Sequence, residues 1–240
     1  MLEVRNLFKA FEVSGAEHQV IQDLSFVVRE RDFYMILGQS GCGKSTLLRM
    51  IGGFEQPDRG EILLGGKRVE KPSRDMMMVF QDFDQLFPWF TLIGNLIYAL
   101  KKVKMPVPGQ DFRGYALKYL RMAGLEDFQD SYPHQLSGGM KQRGALARAL
   151  CLKPGILLMD EPFSSLDYMT KRGLYQSVKE MAAQTGATVI MVTHDIEEAL
   201  ILGTSISVLS REKGRFTEVY ERGAGGFEPE VREQLVLVQR

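Results

Sequence analysis

Residues 38–46 read Gly38-Gln39-Ser40-Gly41-Cys42-Gly43-Lys44-Ser45-Thr46, with glycine at the first and sixth positions and Lys-Ser directly after. That spacing suits a phosphate. Glycines let successive backbone N–H groups curl around an anion, and a helix opening at Lys44 adds the partial positive charge of its N-terminus. Lys44 is then a point charge for the β- and γ-phosphates, the Ser45 hydroxyl a ligand for Mg²⁺, and Thr46 a contact to the α-phosphate. About a hundred residues later, Leu136-Ser137-Gly138-Gly139-Met140 stands ahead of another helical stretch. Here Ser137 offers a hydroxyl and the glycines expose N–H groups, a second surface for an anion, while Ser137 also fits as a helix N-cap. One chain thus carries two surfaces suited to one kind of ligand. If one molecule cannot bring both to one phosphate, two molecules must.

Asp160-Glu161 follow the apolar run Ile156–Met159. In an open parallel sheet, ligands bind beyond the carboxyl ends of the strands, which is where this pair is expected. Asp160, at the strand end, is the candidate on the metal side. Glu161 is the candidate base that orients water for in-line attack. His194 follows the apolar run Thr188–Val192 and is expected at the same edge, donating as a neutral imidazole to the γ-phosphate or the attacking water. Gln81 follows Met76–Phe80 and is a further candidate for Mg²⁺ and water, at the entry to a helical region.

The elements that must hold these residues are readable from patterning. Residues 1–32 alternate apolar and polar positions, as in Val20–Val28, and predict antiparallel strands. Phe33–Leu37 is a continuous apolar run ending at Gly38, the pattern of a buried parallel strand, and Lys44–Ile51 predicts the helix behind it. Glu61–Leu64 followed by Gly65-Gly66 predicts a hairpin. From about Thr91 to Leu152 the pattern is helical, broken at Pro106–Gly109 and Tyr132-Pro133. Buried strands return at Ile156–Met159 and Thr188–Val192, and βαβ crossovers follow from turn or helix material ahead of each. The core is therefore α/β with a helical insertion of roughly 70 residues, and a short helix is expected over Pro229–Val238.

Bulk composition excludes several classes. The chain has 240 residues, 45% hydrophobic and 25% charged, an ordinary globular composition long enough for a sizeable core. Thirty Lys+Arg balance thirty Asp+Glu, so no global field draws nucleic acid or anionic lipid, and no nucleic-acid partner is expected. Cys42 and Cys151 make no disulfide framework and have no metal-ligand spacing, which fits reduced cytosolic thiols. The N-terminus places charges where a signal peptide would need an apolar run, so none is expected, and the longest apolar stretches, such as Ala199–Leu209, are interrupted by Gly and Ser and too short to span a bilayer.

In their order along residues 1–210, these motifs resemble the ATP-binding cassette (ABC) family, and specifically the nucleotide-binding subunit of an importer. The resemblance identifies Gly38–Thr46 as the Walker A loop, Gln81 as the Q-loop, Leu136–Met140 as the signature and Ile156–Glu161 as Walker B with its base. Ser165-Leu166-Asp167 is the D-loop and His194 the switch. It implies a P-loop NTPase core with an N-terminal antiparallel β-subdomain and an inserted α-helical subdomain. Approximate bounds are 1–90 and 153–225 for the core and β-subdomain, 91–152 for the helical part and 226–240 for a tail, all one nucleotide-binding domain. It further implies ATP and Mg²⁺ as cofactors and an aromatic ring for the adenine, best matched by Phe11. Two copies are implied to meet head-to-tail, each offering Ser137, Gly138 and Gly139 to the γ-phosphate on the other, with Asp167 at the seam.

Glu161–Asp167 resembles the importer form of this stretch, and Gln81–Trp89 the nitrate/sulfonate/taurine group, whose aromatics Phe83, Phe87 and Trp89 are expected to form a groove for a permease helix. Expected partners are thus a second copy, integral membrane permeases and, indirectly, a solute-binding protein, at the cytoplasmic face of the membrane. A soluble ABC ATPase or an ATP-dependent interaction module is the alternative. Two positions depart from the pattern. Met140 replaces the usual Gln and removes a side-chain amide, and Gly144 costs the following helix roughly 1 kcal/mol relative to Ala.

Overall fold

The computed structural model describes residues 1–238 apart from 14, 82, 83, 165, 167, 213 and 225. In chain order the strands and helices begin β1 (Leu2–Val13), β2 (Ala16–Val28), β3 (Phe33–Leu37), α1 (Lys44–Ile51), β4 (Arg59–Leu64), β5 (Lys67–Arg68), β6 (Met76–Val79), α2 (Leu92–Lys102) and α3 (Phe112–Met122). They continue with α4 (Gly138–Leu150), β7 (Ile156–Asp160), α5 (Tyr168–Thr185), β8 (Thr188–Thr193), α6 (Ile196–Leu202), β9 (Ser205–Leu209), β10 (Phe216–Glu221) and α7 (Pro229–Val238). The chain divides into two compact units, Met1–Ser73 with Thr188–Arg240, and Arg74–Ala187.

In the first unit an antiparallel sheet runs in the order β2-β1-β4-β5. Alternation buries Leu2 and Val4 on β1, while β2 buries Ile21 and Leu24 with Gln22 and Asp23 exposed between them, at a register shift in the ladder. The same unit holds β3 between β8 and β9, both parallel to it, with β10 antiparallel on β9. β3, β8 and β9 are buried at every position, which explains why β3 and the interior of β8 read as unbroken apolar runs rather than alternations, while β9 buries Ser205 and Ser207 among its apolar residues. The stretch Ala199–Leu209 is not one element. Gly203 closes α6, and β9 starts two residues on, so the Gly-Thr-Ser interruption at 203–205 marks where a helix gives way to a strand.

In the second unit β6 and β7 pair in parallel, with Val79 opposite Met159, and helices α2–α5 accompany them. Gly144 has a packing role here. A Cβ at that position would come within 2.6 Å of Leu92 Cδ1 and 3.3 Å of Leu86 Cδ1, so its absence lets α4 lie close against the start of α2.

Asn95 fastens the loop ahead of α2. Fully buried, it accepts from the Phe87 N–H at 2.8 Å and donates to the carbonyls of Phe87 (3.2 Å), Phe90 (3.3 Å) and Thr91 (3.0 Å). Asn95→Leu keeps the branched side-chain shape, with somewhat more bulk, and strands those backbone groups. It should cost about 2–3 kcal/mol in urea unfolding, since each buried unpaired group is worth about 1–3 kcal/mol. A loss below about 0.5 kcal/mol, the level of an ordinary surface substitution, would show that the loop does not depend on this clamp.

Candidate active site

The phosphate loop leaves β3 at its buried C-terminal end and enters α1 at Lys44. Two local facts give it its curvature. Cys42 N–H closes a turn on Gln39 O at 3.3 Å, and Gly43 sits at φ 102°, a left-handed conformation that side chains resist. A Cβ on Gly43 would also fall 2.6 Å from Val20 Cγ1, so glycine is required there by both conformation and space. Lys44 is only 4% exposed, and its Nζ donates to the carbonyls of Gly38 (2.8 Å) and Gln39 (2.9 Å), which holds the ammonium within the loop. The Cys42 thiol is buried and belongs to the packing beneath the loop, whereas Gln39, Ser40 and Gly41 face solvent and Ser45 and Thr46 are half-buried on the first turn of α1. A tight loop with a captive lysine at a helix N-terminus fits the phosphates of a nucleotide.

His194 belongs to the same unit and is brought to the same edge. β3 and β8 run in register, with Leu37 opposite Thr193, and Gly38 N–H donates to Thr193 O at 3.2 Å. The first residue of the phosphate loop is therefore hydrogen-bonded to the residue before His194, whose side chain is exposed. The turn carrying His194 is fixed by a short relay. Buried Glu198 accepts from the Thr193 hydroxyl at 2.5 Å, and Thr193 Oγ1 accepts from Asp195 N–H at 3.0 Å. The Asp195 carboxylate in turn caps α6 through Glu197 N–H and Glu198 N–H. Sequence reasoning missed Thr193 and Glu198. The Asp195-x-x-Glu198 spacing is a capping-box signal, but Glu198 serves the strand end rather than the cap residue's own N–H.

Phe11 lies on β1 opposite His18 of β2, two residues before Val20, the side chain that lies against Gly43. Its ring is 38% exposed. Phe11, the loop 38–46 and His194 are thus all carried by the first unit.

The second unit carries Gln81, Ser137–Gly139, Asp160 and Glu161. Because β6 and β7 are parallel and in register, Gln81 and the Asp160-Glu161 pair leave neighbouring strands at the same end. Gln81 Nε2 donates to Ser164 Oγ at 3.2 Å, which joins the two exits. Asp160 is 5% exposed and closes β7, while Glu161 is half-buried at φ 42°, a left-handed conformation that is rare for a residue with a side chain. Ser137 caps α4, its Oγ accepting from Met140 N–H at 3.3 Å, and remains exposed. Gly138 and Gly139 form the first turn of that helix. The D-loop residues Ser165 and Asp167, and Phe83, lie outside the described residues.

After Gln81 the chain displays an aromatic cluster. Phe87 lies 5.6 Å from Trp89, 5.2 Å from Tyr98 and 6.2 Å from Phe90 between ring centroids, and Trp89 is 66% exposed. α4 grips this segment from behind, with Arg148 donating to Gln85 O at 2.7 Å and Lys141 paired with Asp84 at 2.9 Å. No helix among the described residues is long and apolar enough to cross a membrane.

Residues 21–164 match the sequence profile of the family described as ABC transporter. The uncharacterized ABC transporter ATP-binding protein MJ0412 of Methanocaldococcus jannaschii is 41% identical over 218 residues, which is 91% of this chain and 80% of that protein. The bicarbonate transport ATP-binding protein CmpD of Synechocystis sp. is 39% identical over 87% of this chain and 74% of its own length. The nitrate import ATP-binding protein NrtC of Synechococcus elongatus is also 39% identical over 87% of this chain, but the match spans only 32% of that longer protein. Among solved structures, the dimeric post-hydrolysis state of the ATP-binding cassette MJ0796 bound to ADP and Pi aligns with a TM-score of 0.79 at 32% identity. That alignment covers 93% of this chain and 100% of the other.

Proposed function

This chain belongs to the ABC transporter family and has the α/β fold of an ABC ATPase, and from that premise we propose that it is the ATP-hydrolysing subunit of an import system driving solute uptake through separate membrane permeases. The observation that carries the reading is the Gly38 N–H to Thr193 O bond, which joins the phosphate loop to the strand end bearing His194. A phosphate cradle and a hydrogen-bond donor toward the same phosphate are the pairing that γ-phosphate hydrolysis requires.

The nucleotide's phosphates are bound by the backbone N–H groups of residues 38–46 and by Lys44, and its base stacks on Phe11. Glu161 orients the attacking water and takes its proton, and His194 donates toward the γ-phosphate. Ser45, Asp160 and Gln81 are the oxygen donors for Mg²⁺, a set that suits a cation bound mainly by hydroxyl, carboxylate and phosphate oxygens. Bound there, Mg²⁺ supplies charge neutralisation for the β- and γ-phosphates. Ser137, Gly138 and Gly139 act on the nucleotide of a second copy arranged head-to-tail, with Asp167 at the seam. The dimeric assembly of the MJ0796 cassette supports this arrangement.

ATP binds the closed pair more tightly than the open one, and that difference in affinity moves the permease. The cluster of Phe87, Trp89, Phe90 and Tyr98, in which Trp89 and Tyr98 are exposed, is the proposed seat of a permease helix, and the proposed location of the chain is peripheral, at the cytoplasmic face of the membrane. The cargo proposed is a small solute of the nitrate, sulfonate or taurine kind, and the bicarbonate and nitrate systems of the relatives support a small anion.

The test is isolation of the tagged chain from detergent-solubilised membranes of its own host. We expect an integral membrane protein to come with it and ATP hydrolysis to accompany the complex. A chain that hydrolyses ATP but brings down no membrane subunit favours a soluble ABC ATPase instead.

A further inference from the structure

We propose that Lys9 is a positioning residue for the nucleotide base, its buried ammonium bracing the Phe11 ring and tying that ring to the helix that follows the phosphate loop. This rests on the reading of Phe11 as the stacking ring.

Lys9 and Phe11 are two apart on β1 and so share one face of the strand. The Lys9 Nζ lies 5.0 Å from the centroid of the Phe11 ring, within range of a cation–π interaction. A lysine only 8% exposed is unusual, and its surroundings explain it. The ammonium pairs with Glu55 at 2.6 Å and Asp58 at 3.3 Å and donates to Gln56 O at 2.9 Å. Burial alone lowers the pKa of this amine, but the Glu55 and Asp58 carboxylates outweigh it and hold the group above the ordinary lysine range, so it stays charged.

All three partners lie in the segment that follows α1. That segment returns to the helix through Phe54 N–H to Arg49 O at 2.9 Å, and is bolted to β1 by Asp58 N–H to Phe8 O at 2.9 Å and Ala10 N–H to Asp58 Oδ2 at 2.7 Å. The pairing of β1 with β2 shifts register on both sides of Lys9, but the extra residues fall on β2, so β1 keeps its alternation from Lys9 to Phe11. The phosphate loop is at one end of α1 and the Lys9 anchor at the other, so a single rigid helix sets the separation between ring and loop. With the cation engaged on the ring, the solvent-facing part of Phe11 is left for a base.

The test compares ATP with inorganic tripolyphosphate, which offers the phosphates and no base, by calorimetric titration of the full chain. Lys9→Met should weaken ATP about fivefold, the scale of one cation–π or stacking contact, and leave tripolyphosphate unchanged. Lys9→Arg, which keeps a cation able to lie over the ring, should restore most of the affinity. If the Met variant does not fold, Lys9→Gln, which keeps a donor toward Gln56 O and removes the charge, should show the same selective loss. Equal weakening of both ligands would mean a general distortion of the phosphate loop and would overturn the proposal, as would unchanged ATP affinity. Phe11→Ala separates the two readings. If it weakens ATP while Lys9→Met does not, Lys9 alone is wrong. If Phe11→Ala also leaves ATP unchanged, the stacking reading fails first.

Discussion

Replacing Glu161 by Gln lowers steady-state ATP hydrolysis by about a thousandfold and leaves ATP binding in place, within the range that positioned general bases contribute. The substitution is nearly isosteric, so the half-buried site keeps its volume and loses only the group that accepts the proton. The backbone makes the position informative. Glu161 sits at φ 42°, directly after a strand buried along its whole length. Glycine would adopt that conformation without the steric cost of about 1–2 kcal/mol that a side chain incurs. A strained residue with a carboxylate at the end of a core strand is what a functional requirement produces when it opposes local stability. Glu161→Gly should accordingly unfold at a temperature no lower than the Gln variant while hydrolysing ATP no faster. Phosphate release under saturating ATP and Mg²⁺, alongside fluorescent-nucleotide binding, gives both readouts. Hydrolysis at an undiminished rate in the Gln variant removes Glu161 as the base.

The parts of the site that depend on chain neighbours were legible before any coordinates. Gly38–Thr46 announces itself because loop curvature, helix onset and lysine are all set within nine consecutive positions. Ser137 reads as a cap for the same reason, since its acceptor role reaches only to Met140. The continuous apolar runs of β3, β7 and β8 were equally plain. What escaped was set by contacts between distant segments. Lys9 looks like a solvated strand lysine until the segment 55–58 closes over it. Asn95 reads as an unremarkable polar residue in α2, and its importance lies in four bonds to a loop whose path the sequence does not reveal. Gly144 reads in sequence as a plain cost to α4, and the approach of Leu92 and Leu86 gives it a purpose. Thr193 and Glu198 are close in sequence, yet the capping-box pattern pointed Glu198 at the wrong partner.

Substituting Ser137 by Arg abolishes the ATP-dependent dimer and lowers hydrolysis at least about a hundredfold, the scale expected when donors to a developing charge are lost, while nucleotide affinity of the single chain is unchanged. Ser137 is exposed at the start of α4, where its hydroxyl accepts from Met140 N–H of its own helix. An arginine there loses the cap, worth about 1 kcal/mol, and places a cation at the positive end of the helix, worth about another 0.3–1 kcal/mol. Those costs are too small to unfold a chain of this size, so a larger functional effect must come from what the surface meets. Ser137→Ala sets the baseline, since it loses the hydroxyl and the cap without adding bulk or charge. Dimer formation is read by light scattering with ATP in the Glu161→Gln background, where the closed form accumulates. If both Arg and Ala dimerise with ATP as the unsubstituted residue does, the hydroxyl matters only as a cap. If the Arg variant still dimerises with ATP, the signature does not face a partner's nucleotide. Loss confined to the dimer, with ATP affinity of the monomer intact, assigns Ser137–Gly139 to the ATP of the second copy. Met140 is then no defect, because the donors that remain at the helix start are a hydroxyl and backbone N–H groups rather than a side-chain amide.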